Sequence, residues 1–106
     1  MRYLLSIAAI CQAELLFGLE RKQSPALFRS YQNILQNRLK IIPFDELAAE
    51  HYGKIKAALY HLGQPIGELD LFIAATARAN GLIVATLNYK DFRAIEGLAV
   101  EDWSKE

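Results

Sequence analysis

A chain of 106 residues has the size of one small domain with a single modest core. Hydrophobic residues make up 53% of it, which argues against disorder, and twelve basic residues balance twelve acidic ones. Bulk charge therefore gives no sign of a nucleic-acid partner, although a local basic patch or a bound metal can supply the attraction. The single cysteine excludes an internal disulfide and a thiolate zinc cluster, and it fits a cytoplasmic protein.

The N-terminal half begins with an apolar segment, RYLLSIAA, that favours a buried strand. This opening is too short for a membrane span, so no membrane partner is expected. Helical spacing follows in CQAELLFGLERK and predicts a helix, with Gly18 and the charges after it marking a surface end. Residues 24–39 predict a second helix, with Ser24 as its N-cap and Pro25 at its first position. Its apolar face is formed by Leu27, Tyr31, Ile34 and Leu35.

The C-terminal half continues the alternation of strands and helices. A short strand, KIIPF, ends at Pro43, and a helix then runs from its N-cap Asp45 to Gly63. A further helix is predicted from Glu68 to Asn80, ended by Gly81. The segment LIVAT reads as a strand buried on both faces, NYKDFRAIEGL as a loop with a short helix, and AVEDW as a final strand. The apolar stripe of the helix that begins after Asp45 comprises Ala48, Tyr52, Ile55, Leu59 and Leu62.

This order predicts an α/β fold with a largely parallel sheet flanked by helices. In such sheets, ligands bind at the carboxyl ends of the strands. Three acids are expected at that edge: Glu14 in the helix after the first strand, Asp70 in the first turn of a later helix, and Asp91 just past LIVAT. Thr86 and Asn88 occupy the same strand exit.

Carboxylates that converge in this way repel one another unless a divalent cation neutralises them. Glu14 also shares a helix face with apolar residues, and a partly buried carboxylate is costly without a partner. Mg²⁺ or Mn²⁺ suits a site with few hard oxygen ligands, and such a site can activate water for in-line attack on a phosphodiester. The residues therefore predict a metal cluster of Glu14, Asp70 and Asp91.

Each acid also has a purely structural interpretation. Asp70 could complement the positive end of its helix, and Asp91 could be the N-cap of the segment FRAIEG. Glu14 could pair with Arg21 or Lys22, while Asn88 could serve turn formation. Other acids, such as Glu46, Glu50 and Glu68, are interpreted as solvated surface charges, and His51, His61 and Cys11 are assigned to structure.

At these residues the chain resembles the PIN-domain ribonucleases, and within them the VapC-type toxins of bacterial toxin–antitoxin pairs. The resemblance runs from about Tyr3 to Trp103. The segment AELLFGLERK resembles the family's A-E-L-x-x-G and places Glu14 on its second acidic position. The long segment GQPIGELDLFIAATARANGLIVATLNYKDF places Asp70 on the third and Asp91 on a downstream position. Thr86 and Asn88 fall on the family's polar strand-end positions, and GLAVEDW resembles the closing strand.

One departure from the family concerns its first acid. The family opens with a strand that ends in L-D-T-N, whose Asp is the first metal ligand, and nothing in this chain matches it. About 30 residues, or one βα unit, are expected to be missing from a single PIN-like domain spanning 1–106. Their absence removes a ligand and exposes unpaired backbone at the sheet centre. A misplaced start, a natural truncation and completion by another chain through strand exchange remain open.

The resemblance implies a Mg²⁺- or Mn²⁺-dependent endoribonuclease toxin in which Glu14, Asp70 and Asp91 position the metal and Thr86 and Asn88 assist. It implies structured RNA as substrate, with initiator tRNA as a lead, together with a homodimer and a cognate antitoxin. The helix within 25–39 is expected to offer an antitoxin or dimer surface. Candidate RNA-binding residues are Arg38, Lys40, Arg78, Lys90 and Arg93.

Two other functions compete with this reading. The first is a catalytically inactive remnant that binds an antitoxin or completes a dimer; the missing Asp favours it, and retention of three costly acids counts against it. The second is a generic α/β ligand-binding domain, which no Gly-rich phosphate loop supports.

Overall fold

The computed structural model describes residues 5–37 and 39–104, and side chains for 8–34 and 40–104. The chain divides between Pro43 and Phe44 into two compact units, called here the first and second units. A single domain over the whole chain therefore stays a prediction. The elements follow the predicted alternation of strands and helices. They are β1 Leu5–Ala8, α1 Ala9–Lys22, α2 Pro25–Asn37, β2 Leu39–Ile42, α3 Glu46–Leu62, α4 Glu68–Ala79, β3 Ile83–Thr86, α5 Tyr89–Phe92 and β4 Ala99–Asp102.

The first unit contains a parallel pair of strands and two helices. Strand β1 pairs with β2 in the register Leu5 to Leu39 through Ala8 to Ile42. The side-chain amide of Gln12 on α1 donates to the hydroxyl of buried Tyr31 on α2, with 2.8 Å between Nε2 and the hydroxyl oxygen. This bond joins the two helices directly.

Helix α1 passes through Gly18 and ends at Lys22, within the charged segment that the sequence marked as its surface end. A glycine inside a helix costs only about 1 kcal/mol relative to alanine, which the turns on either side can outweigh. The chain leaves the helix at Gln23, which adopts a left-handed conformation with φ 50°.

Helix α2 begins as predicted, because Ser24 Oγ accepts a hydrogen bond from the backbone N–H of Leu27 at 3.3 Å. Its predicted apolar face is only partly covered. Tyr31 is buried, whereas Leu27 and Ile34 are exposed; the side chain of Leu35 lies outside the described residues. Helical spacing thus identified the apolar side of α2 but not how much of it packs within this chain.

The second unit is built on the packing of α3 against α4. Asp45 caps α3 as predicted, because its Oδ1 accepts from the N–H of Ala48 at 3.0 Å, and Gly63 ends the helix with φ 66°. Leu62, predicted to join the apolar stripe, is instead exposed, since it lies in the last turn before that end. The fully buried core cluster comprises Ile55, Leu59, Leu71, Ala74, Ala75, Ala77, Val84, Phe92 and Ile95.

Small residues allow helices α3 and α4 to pack closely. Ala74 and Ala75 are completely buried, and a small side chain lets neighbouring backbone come near. On the outside, the Tyr52 hydroxyl of α3 donates to the Glu68 carboxylate of α4. Lys56 lies 3.9 Å from the same carboxylate. Glu68 is therefore an exposed surface charge, as the sequence predicted, and it also links the two helices.

Strand β3 pairs in parallel with β4, in the register Ile83 to Ala99 through Thr86 to Asp102. The prediction that β3 is buried on both faces is wrong, because Val84 is 7% exposed but Ile83 is 62% exposed. An apolar run alone does not reveal whether a second layer covers the sheet. No helix within the described ranges is both long and apolar enough to cross a membrane.

Candidate active site at the carboxyl end of β3

Two of the predicted acids come together in the second unit. Asp70 lies half-buried in the first turn of α4, and Asp91 lies in the short helix α5 that follows β3. Burial raises the pKa of the Asp70 carboxyl above its ordinary value, and the negative charge of Asp91 raises it further. The two carboxylates are therefore near enough to repel each other, as a site that concentrates negative charge requires.

This pKa shift bears on the structural interpretation of Asp70. A helix N-terminus favours a negative charge and so lowers the pKa of a nearby carboxyl. The pKa of Asp70 moves in the opposite direction. Burial and the charge of Asp91 therefore oppose ionisation at this residue, and a perturbed carboxyl of this kind is typical of functional sites.

The turn between β3 and α5 is organised by Thr86 and Asn88. The hydroxyl oxygen of Thr86 accepts a hydrogen bond from the backbone N–H of Asn88 at 2.9 Å. The carbonyl of Asn88 in turn accepts from the N–H of Asp91 at 3.0 Å. Asp91 therefore lies inside α5 and does not act as the N-cap of FRAIEG, which was its alternative interpretation. The two polar residues fix the backbone that presents Asp91.

A groove of about 340 Å³ opens beside this turn. Of the predicted site residues, it is lined by Asn88, Lys90, Asp91 and Arg93. Sequence reasoning missed the other lining residues, which come from the same turn and from the end of β4. These are Leu87, Tyr89, Asp102 and Ser104.

Asp102 reaches the groove because it pairs with Thr86 in the β3–β4 register. Its Oδ1 accepts hydrogen bonds from the backbone N–H and from the hydroxyl of Ser104, at 2.9 and 2.5 Å. The signal that could have found it was the topology rule itself, since the end of a neighbouring parallel strand lies at the same sheet edge.

Glu14 belongs to the first unit, in the second turn of α1, and its side chain is exposed. The expected partial burial is wrong, because Leu19 is the buried residue of α1 and the neighbouring Phe17 is also exposed. Across 5–37 and 39–104, no three His, Cys, Asp or Glu side chains are placed to hold a metal ion. The cluster of Glu14 with Asp70 and Asp91 accordingly stays a prediction.

The pair Asp70 and Asp91 nevertheless fits a small divalent cation. Ionised carboxylates offer hard oxygen donors, and Mg²⁺ is usually held by one or two of them while it keeps several waters. A carboxylate such as Asp70, whose pKa is raised by burial and by a neighbouring negative charge, gains from a positive counter-charge. The donor set is thus adequate for Mg²⁺ or Mn²⁺ without histidine or cysteine.

The predicted basic residues divide by location. Lys90 and Arg93 line the groove, Lys40 is exposed in β2, and Arg38 lies outside the described residues. Arg78 is engaged within the second unit: its Nε donates to His51 Nδ1 at 2.8 Å, and its Nη1 donates to the carbonyl of Glu96 at 2.9 Å. These bonds give Arg78 and His51 a structural role, as was assigned to His51.

The chain is an α/β protein in which parallel strands are followed by helices. Its candidate active site is acidic, because two carboxylates are paired at the end of β3. Comparison with known families identifies the family to which the chain belongs. The model of the PIN domain matches residues 2–98. The chain belongs to the PIN-domain family.

Individual relatives agree with this assignment. The chain is 37% identical over 98 residues to a tRNA(fMet)-specific endonuclease VapC of Shigella flexneri, a match covering 92% of this chain and 74% of that protein. It is 34% identical to the ribonuclease VapC2 of Rickettsia felis, over 95% of this chain and 75% of the relative.

Solved structures give the same result. The VapBC2 complex from Rickettsia felis bound to a promoter DNA fragment superposes with a TM-score of 0.82 at 33% identity, covering 94% of this chain and 75% of that chain. VapBC from Salmonella typhimurium, also bound to DNA, gives a TM-score of 0.81 at 36% identity, covering 92% and 74%.

Proposed function

We propose that this protein is an endoribonuclease toxin of a toxin–antitoxin pair that cleaves structured RNA, in particular tRNA. The observation that carries the proposal is the repelling pair Asp70 and Asp91 at the exit of β3, in a chain of the PIN-domain family. Relatives named as tRNA(fMet)-specific endonucleases, from Shigella flexneri and Salmonella typhimurium, support tRNA as the substrate class.

In this proposal the reaction depends on Mg²⁺ or Mn²⁺. Asp70 and Asp91 would hold the cation, with Glu14 as a third ligand. The cation, when bound, supplies the positive charge that activates water and offsets the charge of the phosphodiester. The chain's own part is to fix the acids: α4 positions Asp70, and the hydrogen-bonded turn through Thr86 and Asn88 positions Asp91.

The partners follow from the same comparisons. The structural neighbours are VapBC complexes, which supports a cognate antitoxin as a partner of this chain. Exposed apolar side chains on α1 and α2, such as Phe17, Leu27 and Ile34, support these helices as its docking surface or as a homodimer contact. A cytoplasmic location is part of this proposal.

The test is cleavage of purified tRNA by the full chain, with Mg²⁺ or Mn²⁺ and with EDTA. We expect cleavage only with the metal, and a loss of about 100-fold or more for Asp70→Asn, Asp91→Asn or Glu14→Gln, because each removes a ligand of a catalytic cation. Glu50→Gln is the matched control, since Glu50 is an exposed acid on α3.

The outcomes separate the candidate functions. Equal rates for Asp70→Asn and Glu50→Gln would contradict the proposed site. A folded wild-type chain that cuts no RNA with either ion would instead favour the inactive, antitoxin-binding alternative.

A further inference from the structure

The groove beside Asp91 is lined by apolar residues in addition to the acidic ones. Leu87 and Tyr89 contribute apolar surface to it, and they are 71% and 38% exposed. Tyr89 lines the groove and is partly exposed, and an exposed aromatic ring is a suitable platform for a nucleobase because every base has a π-face that can stack. The acidic pair does not explain why Leu87 and Tyr89 line the groove.

The charges of the groove cancel formally. Lys90 and Arg93 each contribute one positive charge, and Asp91 and Asp102 each contribute one negative charge. Asp102 is committed to the hydrogen bonds that hold Ser104, so it fixes the shape of the wall. A neutral lining does not act as an electrostatic funnel, so affinity here depends chiefly on stacking while the two cations position a phosphate.

The size of the groove also restricts its occupant. A volume of about 340 Å³ lies near the lower end of small-molecule sites, which span roughly 300–1,000 Å³. This volume offers room for a single nucleotide of a flexible strand. Bases in a paired helix are also unavailable for stacking on a side chain, whereas bases of loops can be splayed out.

We propose that this groove binds one unpaired nucleotide of the RNA beside the acidic pair, with its base stacked on Tyr89 and its phosphate held by Lys90 and Arg93. The inference rests on the proposed function and deepens it, because it names an unpaired position of the RNA as the element recognised. Its location next to Asp91 places that nucleotide close to the candidate catalytic carboxylates.

The first test measures binding of fluorescently labelled A5, a pentaribonucleotide, to the full chain in EDTA, where cleavage does not interfere. Tyr89→Ala is expected to weaken binding about 5- to 100-fold, the loss of one stacked base, and Tyr89→Phe to restore it. Tyr60→Ala is the matched control, since Tyr60 is 81% exposed on α3 and does not line the groove.

The second test is the salt dependence of the same binding. Replacing Lys90 and Arg93 together with glutamine should reduce the slope of log K against log salt by about 0.7, the contribution of the single phosphate that the two residues hold. Tyr89→Ala should leave that slope unchanged. Lys54→Gln combined with Arg29→Gln, two exposed residues of other helices, serves as the control pair.

Equal affinities of Tyr89→Ala and Tyr60→Ala, or no binding of A5 by the wild-type chain, would overturn the inference. Cleavage of tRNA is scored separately, so the two proposals can fail independently. Cleavage without Tyr89-dependent binding overturns the groove inference alone, whereas Tyr89-dependent binding without cleavage overturns only the catalytic function.

Discussion

Two effects oppose the ionisation of the Asp70 carboxyl group: its burial, which is the larger, and the negative charge of Asp91. Its pKa in the folded chain therefore lies above the ordinary value of 3.8 that applies in the unfolded chain. Between these two values the folded state binds more protons than the unfolded state, so the free energy of unfolding falls as pH rises through that window. The penalty is complete above the folded pKa, where Asp70 is ionised in both states.

Asp70→Asn should therefore be more stable than the wild type at pH 7 in the absence of divalent cations. At a pH below 3.8 the difference should shrink, because Asp70 is then largely protonated in both states. Urea unfolding from pH 3 to pH 8 measures this, with Glu50→Gln as the exposed-acid control. A variant that gains nothing at pH 7 would show that Asp70 is not under electrostatic strain.

Single residues also mark what the sequence could and could not predict about the site. Asp70 and Asp91 were found because strand-end rules place both at one edge. Asp102 was missed because its position depends on pairing with Thr86, a contact between segments far apart in sequence. The bond from Arg78 to His51 could not be foreseen either, and an RNA-binding role for Arg78 stays a prediction. Local spacing does not contain such tertiary contacts.

At the scale of elements, the helix ends that carry a side-chain cap or a left-handed glycine were predicted well. Asp45 and Gly63 bound α3, and Ser24 begins α2, as their local chemistry indicated. An error arose where no such signal exists, because β3 has an exposed Ile83. Caps act within one turn and can be read locally, whereas the covering of a strand depends on distant segments.

The cap of α3 leads to a prediction for that element. Asp45→Ala should lower the free energy of unfolding by about 1 kcal/mol, since the N–H of Ala48 loses its acceptor. Asp45→Asn retains an oxygen acceptor and should cost less. Chemical denaturation measures both, with Glu50→Ala as an exposed control on the same helix. A cost for Asp45→Ala no larger than that of the control would contradict the capping role.

For the molecule as a whole, the core of the second unit supports the site directly. Leu71, Ala74 and Ala75 hold α4 in that core, and Phe92 anchors α5 one residue after Asp91. Both carboxylates therefore sit on elements that are fixed by buried apolar contacts. The repulsion between them is sustained by this packing, since charges on mobile segments would move apart.

A cation that binds this pair should consequently stabilise the whole folded chain. Binding to the folded state alone adds about 2.7 kcal/mol at a concentration 100 times the dissociation constant, and it should remove the disadvantage of ionised Asp70. We expect the thermal midpoint at pH 7 to rise with MgCl₂ or MnCl₂ and to fall back when EDTA is added. Sodium chloride at matched ionic strength controls for screening, and Asp70→Asn should abolish most of the gain. An equal gain in Asp70→Asn would place the bound cation elsewhere in the molecule, while no gain in the wild type would argue that Asp70 and Asp91 do not hold a metal.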